Sequence, residues 1–428
     1  MFRSNPKPLA LIGALAIGVV AYAVFGRSDV GQGRFFADQT YHFQTLRVLN
    51  DVASDGAETS EVLETVKHIR SGDAQGWFRA WSETGDRVAR LASATTDRIA
   101  KGRALLRAHN YYRTAEFFLL PDDPKRPVSA AKNVQYFYAG LDAMGVAYQR
   151  IKVPYGEGHH LEAVYYPAVE SDPNRPLIVF CGGFDSTLEE LYFLLVKDAH
   201  EHGYEVLTYD GPGQGSVLRD QGLTFTHEWE KPTKAVVDAF LAGHARPEKM
   251  VLVGASLGGY LAPRAAAFDE RFDGVVAWDV LFDLGAVVSA PPAVFWLRDH
   301  GLVAVVDLMI RANAALSPGF AWRVSNGMWT TGTKHPLDTV TALQKYTLAG
   351  VAQRIKGDVL ILAGAEDHFV PVAQVAQFEK ALTAARSVTT KIYDRSTGGA
   401  EHCQIGAQAL WHADFFDWMA AKFGDERL

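Results

Sequence analysis

Gly254-Ala255-Ser256-Leu257-Gly258 places a serine among small residues directly after the apolar run Val251-Leu252-Val253. A serine hydroxyl is a poor nucleophile unless a base takes its proton, and the base needs an acid to orient it. A Gly-x-Ser-x-Gly stretch that ends a strand and opens a helix exposes the hydroxyl at a strained turn, and the helix start offers free N–H groups and a positive dipole end for a developing oxyanion. The bland alternative is a plain strand-to-helix turn. In this kind of site the chain order is Ser, acid, His. "LILAGAEDHFVP" (360–371) ends an apolar run in Glu366-Asp367-His368. Asp367 is the expected acid and Glu366 its rival. "RSTGGAEHCQIG" (395–406) follows the last apolar run and carries the expected base, His402.

The other half of an oxyanion hole usually comes from the loop after the third strand. "FCGGFDSTLEELYF" (180–193) supplies it: the expected donors are the N–H groups of Phe184 and Leu257, with Gly183 as alternate to Phe184. "DGPGQGS" (210–216) lacks the lysine of a phosphate loop and reads as a loop that shapes the pocket. Extra acids for protonating carbon are Asp279, Asp283, Asp185, Glu189 and Glu190, each equally readable as a solvated or helix-capping carboxylate. "AHNYYRTAEFF" sets Asn110, Tyr111, Tyr112, Arg113 and Glu116 within two helical turns, so Tyr112 and Glu116 are expected on one face. Arg113, Tyr112, Asp185 and Asp283 are the candidate substrate-binding residues, against the bland reading of core tyrosines and surface ion pairs. His368 reads as lining the pocket or facing solvent. His159-His160 has no acidic or cysteine partner at metal spacing and reads as structural; no metal and no organic cofactor is expected.

These residues need a scaffold. Near Tyr148 the pattern changes: "YQRIKVPYG" and "HLEAVYYPA" are strand-like and rich in β-branched and aromatic residues, and the apolar runs "PLIVFCGG", "YEVLTYDGPGQG", "KMVLVGASLGG", "FDGVVAWDV" and "GDVLILAGAED", closed by "VTTKIYDRS", alternate with helical segments. Continuous apolar strands separated by helices predict an α/β fold with a parallel sheet covered on both faces, and its carboxyl edge is where ligands bind. Residues 148–428 are therefore the expected catalytic domain. Within it, about 284–350 is helical and aromatic, with Trp296, Trp322 and Trp329, and reads as a cap over that edge. Residues 35–147 show three- and four-residue apolar spacings, as in "SEVLETVKHIR" (Val62, Leu63, Val66, Ile69) and "GWFRAWSETGDRVARLA" (Trp77, Phe78, Trp81, Val88, Leu91), and predict a helical N-terminal domain. Ser71-Gly72-Asp73 and "PDDPKRP" (121–127) are expected breaks.

A chain of 428 residues, 48% of them hydrophobic, can bury a large core. Its net charge of −7 argues against a nucleic-acid partner, which needs a basic face. Cys181 and Cys403 are too few for a disulfide scaffold and read as buried thiols. Residues 9–26, "LALIGALAIGVVAYAVFG", are uncharged and preceded by Arg3 and Lys7. They are expected to be a membrane anchor or secretory signal, with a buried helix as the alternative, so the expected location is membrane-bound or exported, otherwise cytoplasmic. The partners expected are a small-molecule substrate and, from the aromatic helical region, a second copy in a homodimer.

"GASLGG", "GAEDHFVP" and "GAEHC" together resemble the α/β-hydrolase superfamily. "AHNYYRTAEFFL", "GGFDSTLEELYF", "YDGPGQGSVLRDQGLTF" and "GGYLAPRAAAFDERFDG" resemble a narrower group, the 2,6-dihydroxypseudooxynicotine hydrolase-like enzymes, over roughly residues 41–423. That resemblance implies a Ser256, Asp367, His402 triad, a pocket between helical domain and sheet edge, and hydrolysis of a carbon–carbon bond beside a ketone, with related members acting as esterases or on polyketide-like chains. The apolar segment and the long 284–350 stretch depart from the group's pattern, so substrate identity does not carry over. Three readings follow: a C–C bond hydrolase acting on a β-diketone, acyl-phenol or polyketide-like substrate; a carboxylesterase or amidase; and a non-catalytic binding protein on the same scaffold.

Overall fold

The computed structural model describes residues 34–170 and 175–424. The apolar segment 9–26 lies outside them. Among the described residues no helix is long and apolar enough to cross a membrane.

The eight apolar runs become β1 (Gln149–Tyr155), β2 (His159–Tyr166), β3 (Leu177–Cys181), β4 (Val206–Asp210), β5 (Met250–Ala255), β6 (Gly274–Trp278), β7 (Asp358–Gly364) and β8 (Ser387–Tyr393). They form one sheet in the order β1-β2-β4-β3-β5-β6-β7-β8. The sheet is mostly parallel, as expected, with one antiparallel edge. β1 pairs antiparallel with β2, and β2 with β4; every other pair is parallel. The turn at Gly156–Gly158 is too short for a crossover, so β1 and β2 can only form a hairpin.

Strand alternation sends side chains to two cores. Met250 and Leu252 face one side with Val236, Phe240, Leu261 and Phe378. Val251 and Val253 face the other with Leu360, Trp411, Phe415 and Met419. The first face is covered by α8 (Glu230–Gly243), α9 (Gly258–Ala266) and α15 (Ala373–Ala381), the second by α16 (Gln408–Phe423). α6 (Lys197–Glu201) and α7 (Gly215–Gln221) follow β3 and β4.

Ahead of the sheet come α1 (Gln39–Asn50), α2 (Thr59–Val66), α3 (Ala74–Ala94), α4 (Arg98–Glu116) and α5 (Lys125–Met144). Tyr41, Trp77, Trp81, Tyr111 and Phe118 give these helices a core of their own. Phe43, Leu106, Phe137 and Leu141 instead join the sheet's second core, so the helices are packed directly onto the hydrophobic face. Leu91, expected on the apolar stripe of α3, is exposed at 49%, and Leu63, expected beside the stripe of α2, at 40%. Pro127 does not break a helix: it sits in the first turn of α5, where its missing N–H costs nothing.

Between β6 and β7 the chain inserts α10 (Leu284–Val287), α11 (Pro292–Asp299), α12 (Val303–Leu316), α13 (Pro318–Thr331) and α14 (Pro336–Leu343). α13 reaches the N-terminal helices. Trp322 stacks on Phe117 with ring centres 4.5 Å apart, and its indole N–H donates to the Phe117 carbonyl at 2.8 Å.

Candidate active site

Ser256 sits between β5 and α9 with φ +61°, a left-handed conformation that costs a non-glycine residue about 1–3 kcal/mol. The turn is pinned from both sides. Ser256 N–H donates to the Trp278 carbonyl at 2.9 Å, and a Cβ on Gly254 would come within 2.0 Å of the Gly258 oxygen. Only glycine lets strand and helix approach this closely.

His402 Nε2 lies 2.8 Å from Ser256 Oγ, and its Nδ1 lies 2.6 Å from Asp367 Oδ2. A carboxylate can only accept, so the proton is on Nδ1 and Nε2 is free to accept from the serine hydroxyl. Asp367 Oδ1 accepts from the N–H groups of Phe369 (2.6 Å) and Val370 (2.9 Å), which fixes the carboxylate. Phe369 packs edge-on to the His402 ring, with Phe43 of α1 tilted across it. Burial alone would lower the His402 pKa, but the charge and hydrogen bond of Asp367, together with those of Cys403, outweigh it and hold it well above 6.5. Burial opposes ionisation of Asp367 too; the facing imidazole and hydrogen bonds win and lower its pKa. Glu366 points elsewhere, to an ion pair with Arg395 at 2.6 Å.

Asp279 is more than the loop or capping acid its surroundings in sequence suggested. It is 1% exposed and stands at the end of β6, with Oδ2 3.3 Å from His402 Nδ1. Its oxygens accept from the N–H of Gly364 (3.1 Å), the Gln404 amide (3.2 Å) and the N–H of Cys403. Burial, then the Asp367 charge, push its carboxyl up to about 7. Asp279, His402 and Cys403 bring ligand-type atoms within 4.8 Å of one another. Those carboxylate oxygens are occupied by N–H donors, and burial pushes the Cys403 thiol up to about 12, so the trio is suited to hydrogen bonding rather than to a metal. Both cysteines are free and buried.

The loop after β3 meets the serine as expected. A Cβ on Gly183 would lie 2.7 Å from Ser256 Cβ and 3.0 Å from the Leu257 nitrogen. The N–H groups of Phe184 and Leu257 donate to no protein acceptor among the described residues, which leaves both free for an oxyanion. Gly183 is excluded as the alternate, because its N–H donates to Ser186 Oγ at 2.9 Å. Gln214, in the Gly-rich loop after β4, braces the same loop: its side-chain amide donates to the carbonyls of Gly182 (3.0 Å) and Gly183 (2.9 Å).

A cavity of about 50 Å³ is lined by Phe184 and walled by α4, α5, α7, the two loops and α13. Arg113 and Asp185 line it. Tyr112 does not. Its hydroxyl is bonded to Asp86 and Lys132, and its ring lies against Gly85, all on the outer helices. Tyr112 and Glu116, one turn apart on α4, thus meet different partners, Tyr112 those outer helices and Glu116 the Arg219 side chain, since α4 is buried on nearly every side. Asp283 is likewise corrected: it caps α10 by accepting from Ala286 N–H at 3.3 Å. Asp185 and Glu190 both bind Arg47 of α1 (3.1 and 2.5 Å), a buried link the sequence reading did not anticipate. His368 pairs with Glu401 at 3.0 Å, and His160 with Glu162 at 3.0 Å.

A mostly parallel eight-stranded sheet with Ser256 on the turn after β5 defines the α/β-hydrolase fold. The chain belongs to the alpha/beta hydrolase family, which it matches over residues 178–403, and residues 43–245 match the FrsA-like esterase family. It is a hydrolase. It is 32% identical to hydrolase acrC of Aspergillus aculeatus, over 92% of this chain and 99% of that one. It is also 32% identical to the 20-hydroxy-prefusarin hydrolase FUS2 of Gibberella moniliformis, again over 92% and 99%. The crystal structure of 2,6-dihydroxy-pseudo-oxynicotine hydrolase shares the fold, with TM-score 0.68 at 19% identity, over 88% of this chain and 95% of that one.

Proposed function

We propose that the chain is a serine hydrolase that cleaves a carbon–carbon bond beside a ketone, in a β-diketone, acyl-phenol or polyketide-like substrate, with Ser256 as nucleophile, His402 as base and Asp367 as its orienting acid. The carrying observation is the unbroken hydrogen-bond line from Ser256 Oγ through His402 to Asp367. In this reading Ser256 Oγ attacks the carbonyl carbon while its proton passes to His402 Nε2. The N–H groups of Phe184 and Leu257 hold the oxyanion. When the tetrahedral species collapses, the C–C bond breaks, its electron pair leaves as an enolate, and His402 returns the proton to that carbon. Water, deprotonated by His402, then releases the acyl group as a carboxylic acid. One diketone and one water give one acid and one ketone.

The likeness to curated fungal hydrolases, one of them named for 20-hydroxy-prefusarin, supports a secondary-metabolite type of substrate. The second reading, a carboxylesterase or amidase, uses the same groups and is favoured by the FrsA-like esterase match. Incubation with 1-phenyl-1,3-butanedione and with 4-nitrophenyl butyrate separates them. The C–C reading expects acid and ketone from the diketone, with no such products from Ser256→Ala protein. Rapid ester turnover beside an inert series of diketones would transfer the assignment to the esterase.

A further inference from the structure

The cavity beside Phe184 is lined by three arginines from three parts of the chain: Arg113 of α4, Arg126 of α5 and Arg219 of α7. Each keeps a buried N–H with no hydrogen-bond partner among the described residues: Arg113 Nη2, Arg126 Nε and Arg219 Nε. Unpartnered buried donors are costly, and charged ones more so, which makes three around one cavity a feature to be explained. The remaining contacts hold the arginines in place. Arg113 Nη1 is 3.4 Å from Glu190 and its Nε donates to Asn110 at 3.0 Å. Arg126 donates to the Leu119 carbonyl at 3.2 Å and lies 4.3 Å from the Trp329 ring. Arg219 donates to Glu116 Oε1 at 3.2 Å.

The local charges do not cancel these donors. Of the carboxylates nearby, Asp185 and Glu190 are shared with a fourth arginine, Arg47. Asp51, bonded to Asn110, has its carboxyl pushed up by burial to about 7. Glu116 is in range of all three and its Oε2 is itself unpartnered, while Glu189 and Asp210, near Arg219, have their carboxyls pushed up by burial.

We propose that this cavity is a carboxylate-recognition subsite, so that the substrate carries an acid group remote from the bond being cleaved. This rests on the hydrolase reading above and deepens it by naming the substrate's charge. A planar carboxylate matches guanidinium N–H groups in bidentate fashion and supplies the missing acceptors. Glu116 keeps Arg219 in position and offers its free oxygen to a ligand hydroxyl. Phe184, the proposed oxyanion donor, is part of the cavity wall, and its neighbour Gly183 lies against Ser256, so the cavity adjoins the loop that faces the serine.

Binding is tested apart from turnover, on the full-length Ser256→Ala protein, by calorimetric titration with 4-phenylbutanoate and with the isosteric 4-phenylbutanamide. The acid is expected to bind more tightly by about tenfold or more, the size of one charge-assisted hydrogen bond. That preference is expected to vanish in Arg219→Gln and in Arg126→Gln, each checked for a native circular-dichroism spectrum. Two sites are tested because one variant could fail to fold. Equal affinity for acid and amide, no binding of either, or a preference that survives both substitutions would overturn the proposal. Because Ser256 is already removed, none of these outcomes bears on whether it is the nucleophile.

Discussion

Asp279 Oδ2 stands 3.3 Å from His402 Nδ1, the ring nitrogen that Asp367 holds at 2.6 Å. Two carboxylates on one imidazole nitrogen cannot do the same work, and their environments divide them. Asp367 is kept ionised, whereas burial and its neighbour's charge push Asp279 up to about 7. Asp367 is therefore placed to orient His402 and to stabilise the imidazolium when a proton arrives. Asp279 ties the His402 loop, through Cys403 and Gln404, to the ends of β6 and β7.

Asp367→Asn is expected to lower kcat by about 10⁴, because an amide leaves the ring free to take the wrong tautomer. Asp279→Asn is expected to cost far less, about tenfold, by loosening the loop. Glu366→Gln, at an ion pair with 44% side-chain exposure on the Glu366 side, is expected to leave kcat unchanged. Steady-state kinetics of the three variants check the order; a larger loss from Asp279→Asn or Glu366→Gln would reassign the acid.

The pH profile follows from His402. The base works only when neutral, and its pKa is raised above 6.5, so kcat/KM is expected to rise with pH through a midpoint above 6.5. Removing the Asp367 charge takes away the largest raising influence, so in Asp367→Asn the residual activity is expected to show a lower midpoint. A midpoint that does not move would mean another group controls the limb.

Ser186 and Gln214 position the oxyanion loop without reaching the serine. Ser186→Ala frees the Gly183 N–H, and Gln214→Ala removes two braces on the carbonyls of Gly182 and Gly183. Each is expected to reduce kcat by about 10- to 100-fold with KM little changed, below the loss from deleting an oxyanion donor itself. A loss confined to KM would place these side chains in substrate binding instead.

The Arg47–Glu190 pair is buried on both sides, at 7% and 1% side-chain exposure, and joins α1 to the loop that carries Phe184. Glu190→Gln should destabilise by about 3–5 kcal/mol, since it strands Arg47 and Arg113 near too few anions. The double variant Arg47→Met, Glu190→Gln should recover part of that. Denaturant unfolding measures both, and strict additivity of the two single changes would deny the coupling.

Much of this site was legible because its signals are local. The central strands are continuous apolar runs, the edge strands are rich in β-branched and aromatic residues, the serine turn is a short motif, and Asp367 and His402 close strand-and-loop segments in the expected order. What sequence missed has no local signature. Arg126 lies in a stretch that reads as a helix breaker, and Arg219 in an ordinary short helix, yet both meet Arg113 at one cavity. Asp279 looks like any acid after a strand; only the fold brings Cys403 and Gln404, more than a hundred residues on, to its oxygens. Tyr112 failed for a different reason. Facing rules presume a helix with one buried side, and α4 is packed between α3 and α5 as well as against the core.

Covalent labelling tests Ser256 as the nucleophile. A fluorophosphonate probe labels a serine activated by a neighbouring base, and peptide mass spectrometry locates the adduct. One equivalent of label on Ser256 is expected in the native protein. Labelling should be absent from Ser256→Ala and reduced by about 10³ or more in rate in a His402→Ala variant that still melts cooperatively. Label on a different serine, or a Ser256→Ala protein retaining more than about a tenth of wild-type turnover, would contradict the claim.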